Sequence, residues 1–431
     1  MKRRGAVMVL TLLVLTGLVA ILAAVTATQR MAFKAETNRL ATRRTAVTAD
    51  AACQYVAATL SQQSKTATNL QDDWASLGTA GDERFTYGDQ SFRIQVIDTA
   101  SRINLNNVSQ TQMTQMNFTQ DQIDSLLDWR AAGQTPRANG AKDSYYDALP
   151  IPYNTALRSF HSVDELLLVK GFTAADLFKE IAQQEGAAGN NMTSTSSSST
   201  STTDANGNTV PVPVLYDLLT VDSVSQDVGA NGQAKMGVNS AAATVQSLAR
   251  LGLPVNIAAA IVQRRVTGRP FTSIGQVLAL PGVNARTAAS IIDNLSITGN
   301  ARVTGKLNLN TVTEDVLNTI PNITPDQVRT IIQQQQTGFT SLGQLATLSG
   351  ITTRDLQNLV DYFTVNSETF KVRIEAEAGD IKKAYEATIS IEGNTPRVIR
   401  MTEAPGDAET RWGWTDTASS DTAIEGTTAT Q

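Results

Sequence analysis

Met1-Lys2-Arg3-Arg4-Gly5 followed by AVMVLTLLVLTGLVAILAAVTA, residues 6–27, is the stretch that decides the fold. Three positive charges precede 22 residues that carry none. About 20 apolar residues suffice to cross a hydrocarbon core at roughly 1.5 Å per residue, and basic residues at the start of a span hold that end in the cytoplasm. A buried core helix is a poor alternative, because such helices seldom run 22 residues without a charge. A cleaved secretory signal is a better one, with small residues at Ala24-Val25-Thr26-Ala27. Its apolar core, however, is usually about 7–15 residues long.

The helical pattern also continues past Ala27. Phe33, Leu40 and Val47 recur every seven residues, and Ala51, Ala52, Tyr55 and Val56 extend the stripe. Lys34, Glu36, Arg39, Arg43, Arg44 and Asp50 take other faces, and neither Gly nor Pro interrupts residues 28–60. Apolar residues on one face and charges on the others predict a single amphipathic continuation of the span. A basic leader ending in Gly5, then one helix that is apolar in its first half and amphipathic in its second, resembles a type IV pilin. The resemblance implies cleavage between Gly5 and Ala6 by a prepilin peptidase, with N-methylation of Ala6.

The 431 residues leave room for several folding units. A net charge of −5 gives the whole chain no electrostatic reason to seek nucleic acid. Cys53 is the only cysteine and His161 the only histidine, so neither an intramolecular disulfide nor a cysteine–histidine metal site can be built. Cys53 falls on the long helix and reads as a small buried residue. No Ser/Asp arrangement makes His161 a base, and no Gly-rich phosphate loop is present. An enzyme is not expected.

Working outward, Arg84–Tyr87 and Ser91–Ile97 read as a hairpin turning at Gly88-Asp89-Gln90, with Phe92, Ile94 and Val96 on its one buried face. The chain then repeats itself. Phe160-His-Ser162, Phe271-Thr-Ser273 and Phe339-Thr-Ser341 each begin a similar stretch, and a glycine follows eleven residues after each phenylalanine: Gly171, Gly282 and Gly350. Apolar residues fall at matched offsets between them: Val163, Ile274, Leu342; Leu166, Val277, Leu345; Val169, Leu280, Leu348. The spacing predicts a short helix, a turn with glycine at φ > 0, and a second amphipathic helix. Related leading segments stand upstream: Ile103-Asn104-Leu105-Asn106, Gly237-Val238-Asn239 and Leu307-Asn308-Leu309-Asn310. These are expected to be helix-hairpin-helix units, and such units often present turn amides and basic side chains to a phosphate. Here the Gly-x-Gly form is lost, and charge divides the repeats. Residues 237–300 hold five arginines and one aspartate, whereas 307–363 hold two arginines and five acids. Packing and protein contact are the expected roles.

The tract 194–203 is all serine and threonine and reads as a polar linker. Beyond the third repeat the period becomes two, in Phe370–Ala376 and Ala384–Ile391, with a third strand at Arg397–Met401. The expected organisation is a leader (1–5), a transmembrane and amphipathic helix (6–60), the first part of a β-sheet (61–105), a helical insertion with the first repeat (106–185), a linker (186–213), second and third repeats (214–300, 301–364), C-terminal strands (365–404) and a disordered tail (405–431). The fold class is therefore α+β, a small antiparallel sheet split by a large helical insertion with helix-hairpin-helix (SAM-like) repeats.

This order resembles the minor pseudopilin K family of the type II secretion system, in which a helical domain is inserted into a pilin sheet. The likeness is carried by Asp98…Arg102-Ile103-Asn104-Leu105-Asn106, Asp128-Trp129-Arg130, Tyr145/Tyr146, Pro152-Tyr153-Asn154 and Asp164-Glu165-Leu166…Gly171. It implies a tip complex with minor pseudopilins I and J that initiates pseudopilus assembly for protein export. It further implies contacts with H, the major pseudopilin, the inner-membrane assembly platform and secreted substrates, with the bulk of the chain in the periplasm. Ordinary pilins carry a glutamate five residues into the mature chain. Leu10 stands there, as the resemblance to type K implies. Calcium, known in the family, is not expected, because Arg130-Ala131-Ala132-Gly133 replaces an acid-rich stretch; no other cofactor is implied. The third repeat and the Ser/Thr tract read as enlargements. The alternatives are a membrane-anchored DNA-uptake receptor, which would lack both the amphipathic extension and the split sheet, and a type IV pilus minor pilin.

Overall fold

One long helix, α1 (Arg3–Leu60), lies with its C-terminal half across a sheet. The computed structural model describes residues 3–63, 66–178, 201–203, 209–211, 214–393, 395–414 and 420–423. Ala49, Ala52, Cys53, Val56 and Leu60 form the stripe that meets the sheet, at the i, i+3, i+4, i+7 spacing of one helical face. The stripe read from Phe33, Leu40 and Val47 is a different face, and these residues are 73%, 57% and 67% exposed.

The sheet contains β1 (Glu83–Tyr87), β2 (Gln90–Asp98), β3 (Thr369–Ala378), β4 (Ile381–Glu392), β5 (Thr395–Glu403) and β6 (Ser420–Ala423). Its order is β5-β4-β3-β2-β1-β6, antiparallel throughout except for β6, which runs parallel to β1. Phe85, Phe92, Ile94, Val96, Val372, Ile374 and Ile389 face α1 and form the apolar core of this layer. In outline this is the expected long N-terminal helix with mixed α/β content around a central sheet.

Two expectations are corrected. Alternation predicts one buried face for the first hairpin, yet the opposite face of the sheet is covered as well, with Arg93, Glu375, Lys371 and Arg373 buried on it. The cover comes partly from the C-terminal tail, expected to be disordered from 405 on. Ala408–Arg411 is helical, and Trp412 and Trp414 are buried. The Trp414 indole N–H donates to the Ala80 carbonyl at 3.0 Å, and its ring lies 5.1 Å from the Arg93 guanidinium. Two large aromatic surfaces removed from water order this segment, which precedes the Thr/Ala-rich stretch that begins at Thr415. Residues 415–419 and 424–431 of that tail lie outside the described residues. Within the Ser/Thr segment, Ser201–Thr203 pairs antiparallel with Thr209–Pro211; the rest of 186–213 is outside the described residues.

Between β2 and β3 the chain builds three related helical units. Each opens and closes with a two-residue parallel strand pair: Ile103–Asn104 with Leu219–Thr220, Met236–Gly237 with Leu295–Ser296, and Leu307–Asn308 with Phe363–Thr364. The asparagine after each leading strand closes the unit. Asn106 Oδ1 accepts from Phe160 N at 2.7 Å, while its Nδ2 donates to Phe160 O at 3.1 Å. Asn239 does the same with Phe271 (3.0 and 2.8 Å) and Asn310 with Phe339 (2.5 and 2.9 Å). A side-chain amide thus satisfies both polar groups of a buried backbone position that no sheet reaches. Each phenylalanine is at most 2% exposed, and truncating such a core ring costs about 3–5 kcal/mol.

Each unit is also larger than its sequence repeat. A helix pair precedes the phenylalanine in every case: Gln110–Gln115 and Gln120–Arg130, Val245–Arg250 and Val255–Val266, Glu314–Leu317 and Pro325–Gln335. The turns within these pairs hold Asn117, Gly252 and Asn322 at φ of 59°, 87° and 63°. At the end of each second helix a long side chain reaches back to two carbonyls near the leading strand: Arg130 to Leu105 and Val108, Arg265 to Ser240 and Ala243, and Gln335 to Leu309 and Val312.

Candidate functional site

The first half of α1 is the most exposed apolar surface among the described residues. Met8, Leu10, Leu13 and Ile21 are 72%, 66%, 68% and 67% exposed, and the helix is long and apolar enough to cross a membrane. An isolated apolar surface of that size does not stay in water. Gly5 and Ala6 lie in the first turns of this helix, and their side-chain surroundings are outside the described residues. The exposed stripe of Phe33, Leu40 and Val47 continues toward Tyr55 and Tyr87, which flank a cavity of about 350 Å³ lined mainly by α1 and the first hairpin.

The glycines Gly171, Gly282 and Gly350 do not converge on one site. Each occupies the same turn of its own unit, at φ of 90°, 90° and 81°. In the first unit Gly171 follows a 3-10 turn, Val163–Leu168; in the second Gly282 follows the helix Ile274–Leu278; in the third Gly350 follows a 3-10 turn, Leu342–Thr347. The arginines of the second unit are in part committed to its own structure. Arg264 stacks on the Phe271 ring at 4.3 Å and donates to Gln276 Oε1 at 2.8 Å, while Arg265 holds the Ser240 and Ala243 carbonyls. A phosphate track needs such groups aimed outward.

Units two and three join reciprocally. Asp293, at the end of Ala285–Asn294, accepts from Gly343 N at 2.7 Å and Ser341 Oγ at 3.1 Å. Asp361 accepts from Ile274 N and Gly275 N, both at 3.1 Å. Each carboxylate therefore covers the free amides at the start of the other unit's short helix. Burial of Asp293 pushes its carboxyl above the ordinary range, against the hydrogen bonds from Gly343 and Ser341 that pull it down. Glycine at 275 and 343 is needed for the approach: a Cβ on Gly275 would sit 1.9 Å from the Gln357 carbonyl oxygen, and one on Gly343 would sit 2.7 Å from that of Ala289.

Calcium does not fit the stretch where the resemblance would put it. The Lys142 ammonium donates to the Asp128 and Ala131 carbonyls at 2.5 and 2.7 Å, and the Arg137 guanidinium holds the Asp128 carboxylate at 2.6 Å. Fixed cations from the protein occupy the oxygens that a metal would need. His161 is exposed in a loop, with its backbone N–H given to Glu165, and Cys53 is buried between α1 and the sheet.

Comparison with known proteins brings two stretches forward. Residues 101–180 and 307–366 each match a family described as Type II secretion system (T2SS), protein K. The first covers the opening of unit one and the second is unit three, which corrects the expectation that the third repeat is an enlargement; unit two lies between the matches. Over 57 residues the chain is 40% identical to "Type II secretion system protein K" of Pectobacterium carotovorum subsp. carotovorum, a stretch that is 13% of this chain and 17% of that relative. A chain in the crystal structure of the GspK-GspI-GspJ complex from the enterotoxigenic Escherichia coli type 2 secretion system aligns over 86% of this chain and 98% of its own, with 12% identity and a TM-score of 0.43. Two stretches of this chain, one at each end of the helical insertion, are thus similar to the type II secretion system protein K family.

Proposed function

We propose that this chain is a minor pseudopilin that caps the type II secretion pseudopilus, in a tip complex with minor pseudopilins I and J that starts fibre assembly for protein export. The pair of protein K matches carries this reading. The prepilin peptidase cuts between Gly5 and Ala6, Ala6 is N-methylated, and residues 6–27 hold the protein in the inner membrane with its bulk in the periplasm. H, the major pseudopilin and the assembly platform are further partners, and secreted substrate meets the tip. The three helical units are helix-hairpin-helix modules used for packing and protein contact. They form a bulky insertion that suits a subunit with nothing stacked above it, and the role is assembly, not catalysis. Phe33, Leu40 and Val47 are free to meet neighbouring pseudopilin helices, which supports the reading.

Leu10 supplies the physical argument for the tip. In a fibre, a glutamate at this place offsets the buried N-terminal ammonium of a neighbour, and a lone charge in hydrocarbon costs several kcal/mol. A subunit with leucine there offers no such partner to a subunit above it. Mass spectrometry of the mature protein should find a methylated Ala6 at the N-terminus; a start near Thr28 would mean a conventional signal peptide instead. Leu10→Glu should insert at a cost of up to roughly 2.5–3.5 kcal/mol for a central charge and give fewer or shorter fibres, whereas Leu10→Ala should assemble as the wild type does. Equal assembly by both variants would remove the tip assignment.

A further inference from the structure

The polar face of the sheet has two halves. Toward β1, Arg84, Arg93 and Lys382 are matched with Glu375 and Glu377, at 2.9–3.4 Å where Glu375 is the acceptor, beneath the C-terminal tail. Toward the helical units the same face opens into a cavity of about 570 Å³. Arg102 and Arg373 lie on its floor, each with a side chain only 8% exposed, and Lys371, 11% exposed, stands behind them as the partner of the lining residue Glu386. Two carboxylates serve them. Asp217 is 2.5 Å from Arg373 but 3.8 Å from Arg102, and Glu386 is 3.0 Å from Lys371. Among the described residues, Arg102 Nη1 and Arg373 Nε are buried and have no hydrogen-bond partner.

A buried guanidinium with free N–H groups costs free energy unless a compensating anion meets it. The other walls say which anion. Phe178, Tyr216 and Trp412 give the cavity an aromatic side, with the Trp412 ring 5.4 Å from the Arg373 guanidinium. Arg411 also lines it, paired with Asp407 at 3.5 Å. Asp315 stands on the wall contributed by unit three, and no ion pair joins it to the floor among the described residues. A carboxylate facing the cavity repels a multiply charged ligand such as phosphate more than a singly charged one. We propose that this cavity binds a single carboxylate carried on an apolar or aromatic body, the carboxylate on Arg102 and Arg373 and the body against Phe178, Tyr216 and Trp412.

The test uses the full chain in detergent, with N-acetylphenylalanine as probe and tryptophan fluorescence and thermal melting as readouts. The acid should bind saturably and raise the melting temperature, while N-acetylphenylalaninamide and inorganic phosphate should do neither. Arg102→Met should weaken binding about tenfold or more, as expected for the loss of a charged hydrogen bond, while still melting cooperatively. Equal binding of acid and amide, preference for phosphate, or undiminished binding by a folded Arg102→Met would overturn the proposal. Should Arg102→Met fail to melt cooperatively, the comparison of acid and amide on the wild type decides alone: no discrimination refutes the site.

Discussion

Unit one and units two and three share one plan and use its short helix in opposite ways. In units two and three the second residue of that helix is glycine, Gly275 and Gly343, and its backbone amide is covered by an aspartate from the neighbouring unit. In unit one the same place holds Asp164, exposed, whose own backbone N–H is held by Ser162 Oγ at 3.0 Å. Unit one instead meets unit three through another surface, where Gln112 Nε2 donates to Thr319 Oγ1 at 3.2 Å. Whether a helix start becomes an interface or a solvated end is thus set by one side chain. Absence of a Cβ admits the partner, whereas in unit one the Ser162 hydroxyl supplies the cap and donates in turn to the Asp164 carboxylate at 2.9 Å.

That contrast can be broken most sharply at Gly275. Gly275→Ala places a methyl on the Gln357 carbonyl, and relief requires the two units to separate, at about 1–3 kcal/mol or more. Asp164→Ala, at the matching place in unit one, should change stability by no more than about 0.5 kcal/mol. Calorimetry on the full chain checks both, and comparable losses would mean the interface does not depend on close approach. A smaller effect is expected at Gly350, where a Cβ meets nothing within 4 Å but φ is +81°. Gly350→Ala should cost about 1–2 kcal/mol through backbone strain alone. Gly350→Asn should cost less, since Asn117 and Asn322 already serve at φ of 59° and 63°. An alanine as stable as the asparagine would show that the turn relaxes.

The smallest effect belongs to Asp293 and reveals itself through pH. Its folded carboxyl titrates above the unfolded value of roughly 3.9, so the folded state holds the proton longer. The wild type therefore loses stability as pH rises from about 4 through the folded value. Asp293→Asn keeps an acceptor for Gly343 N and has no such slope. The melting difference, variant minus wild type, should move in favour of asparagine between pH 4 and 7. A difference that stays level or moves the other way would mean that the bonds from Gly343 and Ser341 outweigh burial.

Much of this was legible in the sequence where the signal is local. The uncharged run 6–27, the alternation of Phe92, Ile94 and Val96, and the spacing from Phe to Gly in each repeat all act through near neighbours. The first half of each unit stayed hidden because its turn accepts different residues, Asn117, Gly252 and Asn322. Helix starts there also vary, with Thr119 and Thr324 in capping boxes but Pro254 in unit two. The fixed point was the asparagine at 106, 239 and 310, visible as a pattern but mute about its partner. The polar face of the sheet illustrates a different limit. Alternation in β3 says which residues share a face, and only the fold brings Trp412, Tyr216 and Arg102 to it.

The split sheet also fixes an order of events. Asp98 of β2 pairs with Phe370 of β3, so the surface that shelters the lower half of α1 cannot close until nearly the whole chain exists. The helical units need only contacts within their own short spans, and such local contacts form quickly; the sheet must close a loop that contains all three units, which is slow. During synthesis α1 and the first hairpin are made early and β3 late, so Ala49, Cys53 and Val56 have only β1 and β2 to meet while the units between β2 and β3 fold.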